Sequence, residues 1–196
     1  MASRESSHDS SQLGYGTHRT PWDPPVRDPA AYSLTDHFRR RLRQPGRYVT
    51  LPIASDAIRT GQLRWNRTDG WRFALVRDGV RYVIVVGDTE TNSPVIVTGW
   101  TEVASWAEAV ESERWREEDL HTIQLRGDLS AAPNEQIPLR IRPREIDRPM
   151  EIGSHRITTR AGLASVVCDE CHGQYRSKTE LLSTRCRSSS RAGYDS

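Results

Sequence analysis

Trp71-Arg72-Phe73-Ala74-Leu75-Val76-Arg77-Asp78-Gly79-Val80-Arg81-Tyr82-Val83-Ile84-Val85-Val86 is the stretch that decides the fold. Two runs rich in β-branched and aromatic residues meet at Asp-Gly, a pair that readily adopts the positive φ of a tight hairpin turn. The spans 71–77 and 80–86 therefore read as paired antiparallel strands. A polar loop over 87–94 leads to a third such run at 95–101. Before the hairpin, Gln62 to Thr68, with Leu63 and Trp65 alternating, reads as an edge strand that turns at Asp69-Gly70.

Helix signals flank these strands. Ser33 or Thr35 can cap a helix running to Arg43, with Phe38 and Leu42 on one face, and Pro45-Gly46 ends it. Ser55 is expected to cap a short second helix closed by Gly61, and Ser105 to cap a third through Ser112 that buries Trp106, Ala109 and Val110. Thr122 to Leu125 reads as one more short strand. The order predicts an α+β domain over 32–130, in which N-terminal helices pack on an antiparallel four-stranded sheet.

The flanks differ in texture. Residues 1–31 are Ser, His, Gly, Pro and charged types with isolated apolar side chains, which cannot bury enough surface to offset ordering, so a disordered tail is expected. Trp22-Asp23-Pro24-Pro25 within it is a potential anchor for the domain or for a partner. Pro133, Pro138, Pro143 and Pro149 make 131–149 an extended linker or, through Ile137, Leu139 and Ile141, an edge strand. A small module over 150–187 follows, and an Arg- and Ser-rich tail over 188–196.

Composition bounds the function. With 196 residues the chain is long enough for one domain plus an appended module, and too short for an eight-stranded α/β barrel. Apolar residues make up 35% and the mean hydropathy is -0.70. No run approaches the roughly 20 apolar residues of a membrane span, and the polar N-terminus has no secretory h-region, so a cytoplasmic protein is expected. A net charge of +2 is too small to identify a partner, which must be sought in local charge. No phosphate-binding Gly loop, nucleophile elbow or paired-His protease motif is present, which leaves kinase, hydrolase and zinc-protease readings without support.

All three cysteines fall in the last thirty residues, a spacing suited to a metal rather than to a disulfide framework. Cys168-Asp169-Glu170-Cys171 forms a knuckle that can present two thiolates to one tetrahedral zinc. Tyr175, Leu181 and Cys186 follow at spacings that resemble the two-Cys two-His zinc finger, a ββα unit. The resemblance covers Cys168 to Cys186 and implies a structural zinc held by Cys168, Cys171 and Cys186. Thr184 stands where that family has its first His, so the fourth position falls to His172, to a water, or to another residue such as His155. Arg176, Lys178 and Arg185 on the finger's helix supply charge for phosphate contact.

A second basic concentration, His37-Phe38-Arg39-Arg40-Arg41-Leu42-Arg43 with Arg47, surrounds a single His. One turn of helix puts His37 beside Arg41 and Arg39 beside Arg43. Metal-independent cleavage of RNA needs a base for the 2′-hydroxyl and a cation for the charge that develops on phosphorus, which such a group can offer. Ala57, Ile58 and Gly61, the Gly70-Trp71 turn, Val85-Val86 and Val95-Ile96-Val97-Thr98-Gly99-Trp100-Thr101 together resemble the RelE-like and colicin-like ribonuclease toxins. That resemblance implies His37 as base or acid, Arg41 or Arg43 on the phosphate, and Thr98 or Thr101 positioning it. The expected function is a nucleic-acid-interacting protein, in its sharpest form a metal-independent endoribonuclease with a finger-like tail. The alternatives are a non-catalytic DNA- or RNA-binding regulator, with Arg39, Arg40, Arg47, Arg176, Lys178 and Arg185 on the nucleic acid, or a protein-interaction adaptor.

Overall fold

The computed structural model describes residues 21–137, 146–160, 163 and 165–188. Its chain is α+β with two sheets. The first sheet is built by β1 (Ser33–Leu34), β2 (Gln62–Asn66), β3 (Gly70–Arg77), β4 (Val80–Gly87) and β5 (Val95–Val103), in the order β1-β5-β4-β3-β2. The Asp-Gly hairpin forms as expected: Asp78 has φ 52 and Gly79 φ 71, the two positive values of the tight turn. Gly79 is also needed for space, because a Cβ there would lie 2.2 Å from the backbone nitrogen of Ala109. The expected four antiparallel strands are all present. A fifth, β1, pairs parallel to β5 through Ser33 with Val95 and Leu34 with Ile96, so the sheet is mixed and five-stranded.

Helices α1 (Asp36–Arg43) and α2 (Leu51–Thr60) cover this sheet, burying Phe38, Ala54, Ala57 and Ile58 against Phe73, Ile84, Val86 and Ile96. Thr35 caps α1, its hydroxyl accepting the Phe38 N–H at 3.1 Å. Helix α2 begins earlier than Ser55: Thr50 is its cap, and Pro52 sits in the first turn, where a missing N–H costs nothing. Helix α3 (Trp106–Glu111) starts at Ser105 as expected, although Val110 is exposed rather than buried.

The expected strand at Thr122 to Leu125 is instead part of helix α4 (Glu117–Ala131). Glu117, Glu118 and Asp119 occupy its first turn, where negative charge is favoured, and the Asp119 carboxylate accepts the Arg116 N–H at 3.2 Å. Helix α4 is buried on two sides: Leu120 and Ile123 pack with Ile53, Val80 and Tyr82 of the first domain, while Leu125 and Leu129 enter a separate C-terminal core.

That second core belongs to an antiparallel sheet of β6 (Ile146–Ile152), β7 (His155–Thr159), β8 (Val166–Cys168) and β9 (Gln174–Tyr175), closed by α5 (Lys178–Ser183). Part of the expected linker is therefore strand. Ile146 is buried in β6, and the register slips between Ile146 and Met150, which accommodates Pro149 on an edge strand. Of the alternative edge-strand residues, Ile137 is buried, while Leu139 and Ile141 lie outside the described residues. The first twenty residues of the expected tail also lie outside them. Arg27, within the tail's expected span, docks its guanidinium on the carbonyls of Ile58, Arg59 and Gly61 at the end of α2. Trp22 is exposed.

Candidate functional site

Two constellations bear on function. The first is a quartet of His155, Cys168, Cys171 and Cys186, whose ligand atoms all lie within 4.8 Å of one another and could hold a metal ion. His155 opens β7, Cys168 ends β8, Cys171 lies in the turn that follows and Cys186 comes after α5, so the group ties together every part of the module after β6. The Sγ atoms of Cys168 and Cys186 are 3.8 Å apart, and Cys171 Sγ is 3.7 Å from His155 Nδ1. A tetrahedron with bonds of about 2.3 Å to sulfur has edges of about 3.8 Å, so these spacings suit one four-coordinate ion.

The surroundings orient the ligands. His155 is fully buried, and its Nε2 donates to the Thr184 carbonyl at 2.8 Å, which leaves the Nδ1 lone pair facing the thiols. Burial works against a Cys171 thiolate. The Tyr175 hydroxyl, the Gly173 backbone, Cys168 and His155 together outweigh it and bring the thiol down to about 6. Cys168 moves the other way, raised chiefly by burial.

The three expected cysteine ligands are thus assembled, while His172 is not in the cluster. It adopts φ 57 in the turn after Cys171, where its N–H bonds the Cys168 carbonyl, and its side chain is exposed. His155 takes the fourth place. Thr184, at the position where the finger resemblance has a His, instead lends its carbonyl to that histidine.

The second constellation is cationic. Arg41 from α1, Arg47 from the loop after it, Arg126 from α4 and Lys178 from α5 line two adjoining cavities of about 270 and 460 Å³ between the two sheets' domains. None of the four makes an ion pair among the described residues. Arg41 and Arg47 both donate to Gln44 Oε1, at 2.7 and 3.1 Å. Arg126 donates to the carbonyls of Pro45, Gly46 and Glu151 at 3.1 to 3.2 Å. Burial first, then the neighbouring cations, pull Arg47 down to about 9 and Arg126 to about 10, and Lys178 is lowered by the same causes. Arg47 and Arg126 remain charged at neutral pH. Arg126 is not among the expected site residues; it follows directly on Thr122 to Leu125, the segment expected to be a strand, and only the helix Glu117–Ala131 turns it toward the cleft.

The groove of about 430 Å³ on the other side of α1 is lined by Thr35, Asp36, His37, Arg40, Val97 and Thr98, so His37 and Thr98 do share a site. Arg41 Nε donates to His37 Nε2 at 3.2 Å, and burial together with Arg41, Arg40 and Arg47 lowers the His37 pKa. The charged form of His37 is therefore disfavoured, and its Nε2 lone pair is engaged by Arg41. Arg43 is exposed at the end of α1 and lines none of these cavities, nor do Arg39, Arg176 and Arg185, which are exposed. Thr101 is buried and donates to the Arg47 carbonyl at 3.2 Å.

The tryptophans are mostly structural: Trp65 meets Trp71 edge-on, Trp115 packs on Tyr48 and Tyr82, and Trp106 covers His121 on α4. Trp100 lines the outer cationic cavity. No helix among the described residues is long and apolar enough to cross a membrane. Set beside known proteins, the chain matches no family model, no curated protein and no solved structure.

Proposed function

We propose that this is a nucleic-acid-binding protein whose C-terminal module is held by a structural zinc on His155, Cys168, Cys171 and Cys186. The observation that carries the reading is the convergence of Arg41 and Arg47 from the first domain with Arg126 and Lys178 across one cleft, without an ion-pair partner among the described residues. Cations crowded together in a partly buried cleft are costly to fold, Arg126 being buried and Arg41, Arg47 and Lys178 half-buried, and a polyanionic backbone is a ligand that would relieve them. Exposed Arg39, Arg40 and Arg43 on α1 and Arg176 on the finger extend the positive surface beyond the cleft. Three thiolates and one imidazole favour zinc as the ion, and a full set of four protein ligands leaves no open position for catalysis.

Binding rather than turnover is the favoured form of the reading. A general base at His37 needs the Nε2 lone pair that Arg41 engages. The experiment is titration of labelled single-stranded RNA and duplex DNA at several salt concentrations in EDTA, with strand integrity followed in the same samples. A steep inverse dependence of affinity on salt with intact strands is expected. Salt-insensitive or absent binding would defeat the reading, and cleavage lost in His37→Ala would replace it with the ribonuclease implied by the toxin resemblance.

A further inference from the structure

The inner cavity differs from an ordinary phosphate-tracking surface in shape and in charge. A backbone groove is normally an open strip of solvated Lys and Arg that meets one phosphodiester charge at a time. Here four cations from four separate segments face one space of about 270 Å³, and the only carboxylate residue among its lining is Glu151. The acids of the outer cavity are already engaged: Asp69 with Arg72 at 3.5 Å and Glu102 with Arg81 at 3.1 Å.

Donor capacity points the same way. Among the described residues Arg47 uses only its Nε, on Gln44, and its terminal amino groups meet no acceptor there. Lys178 makes one hydrogen bond among them, to the Ser130 hydroxyl at 3.4 Å. Arg126 is spent on three carbonyls and serves as the charged floor rather than as a hand. Gln44 fixes the planes of Arg41 and Arg47 through a shared oxygen, so the fork is set before a ligand arrives.

We infer that this cavity is a site for the terminal phosphate monoester of a nucleic-acid strand; the inference rests on the nucleic-acid reading above. A monoester carries between one and two negative charges at neutral pH and three terminal oxygens, whereas an internal phosphodiester carries one charge and two free oxygens. The first matches the convergent cations and the unused donors of Arg47 and Lys178. The strand leaves through the outer cavity, where the half-buried Trp100 offers a surface for the terminal base.

The test is competitive fluorescence anisotropy on the full chain with one short RNA sequence in three forms: 5′-phosphorylated, 3′-phosphorylated, or hydroxyl at both ends. At least one monoester form should bind about tenfold tighter than the hydroxyl form, the gain of one or more charge-assisted hydrogen bonds, and the better of the two identifies the end. The ratio of affinities within each variant cancels general losses, and it should fall to near unity in Lys178→Ala and in Arg47→Gln. Where a variant misfolds, competition on the wild type decides: inorganic phosphate should displace the phosphorylated RNA at concentrations where chloride of equal ionic strength does not. Equal affinities for all three forms with steep salt dependence would overturn the end-recognition site and leave the general reading standing. Failure of every form to bind would overturn both.

Discussion

Replacing His155 by Ala separates the metal quartet from a set of merely buried thiols. The imidazole is fully buried with Nδ1 3.7 Å from Cys171 Sγ, so its loss removes one of four ligands and opens a cavity at the start of β7. Structural zinc contributes roughly 10–16 kcal/mol of apparent binding free energy in isolated fingers. Changing only a partner that orients a ligand typically costs about 10–100-fold in affinity, so losing a ligand outright should cost at least that, roughly 1.4–2.7 kcal/mol or more. The assay is zinc content of protein purified without chelator, followed by competition with a chromophoric chelator. Wild type and His172→Ala should each hold close to one equivalent and release it at the same chelator concentration. His155→Ala should release it at a chelator concentration at least about tenfold lower. The reasoning fails if His172→Ala loses the metal while His155→Ala keeps it, or if wild type carries less than about a third of an equivalent.

Two further expectations follow from the cationic constellation. Arg126→Met keeps an apolar stem but strands the carbonyls of Pro45, Gly46 and Glu151; part of that loss is offset by relief of repulsion with Arg41 and Arg47. A net loss of about 2 kcal/mol is expected in urea unfolding, and a variant as stable as wild type would refute the clamp. His37 should titrate in NMR below its ordinary value of 6.5, because burial and then Arg41, Arg40 and Arg47 disfavour its charged form. Since the unfolded chain takes up that proton more readily, His37's contribution to stability is complete above 6.5 and is lost as pH falls from there. Arg41→Ala should move the midpoint back up; a midpoint unmoved by that substitution would show that the 3.2 Å contact does not govern the ring.

The parts of the fold legible in the sequence are those that local chemistry settles. Asp78-Gly79 writes its own turn, and Thr35 and Ser105 cap the helices their positions announce. The second helix starts at Thr50 rather than at the expected Ser55, and its signal is Pro52, since proline in a first turn marks a helix start. Helix α4 shows the deeper limit. Leu120 and Ile123 face one core and Leu125 and Leu129 another, so the apolar residues surround the helix instead of forming one stripe, and a four-residue window mimics a strand. The parallel pairing of Ser33 with Val95 joins residues far apart in the chain and leaves no local trace. The cysteine ligands were legible because their spacing is local. His155 was only one of several candidates, because its place depends on β7 pairing with β8, which sets Ile157 opposite Cys168.

The two constellations are mechanically connected, which explains why a small module carries so many constraints. Lys178 opens α5, and Cys186 follows that helix within the quartet that could hold a metal, so an ion bound there would fix Cys186 and anchor the far end of the element that brings Lys178 to Arg47. On the other wall, Arg126 holds the Pro45-Gly46 turn to β6 through three carbonyls, and a Cβ at Gly46 would come within 2.7 Å of Met150 and 2.8 Å of Thr122. The cleft therefore exists only when both domains are folded and docked through α4. A chain selected for stability alone would pair each of these cations with a carboxylate, since like charges brought together during folding raise the energy of the native state. Arg41, Arg47, Arg126 and Lys178 instead make no ion pair among the described residues, with Glu151 the one acid beside them in the inner cavity, and each has its charged form disfavoured first by burial and then by at least one cationic neighbour. An anion entering the cleft would release that repulsion. Binding should therefore stabilise the docked arrangement of the two domains, and removal of the metal should weaken the anion's hold by freeing α5.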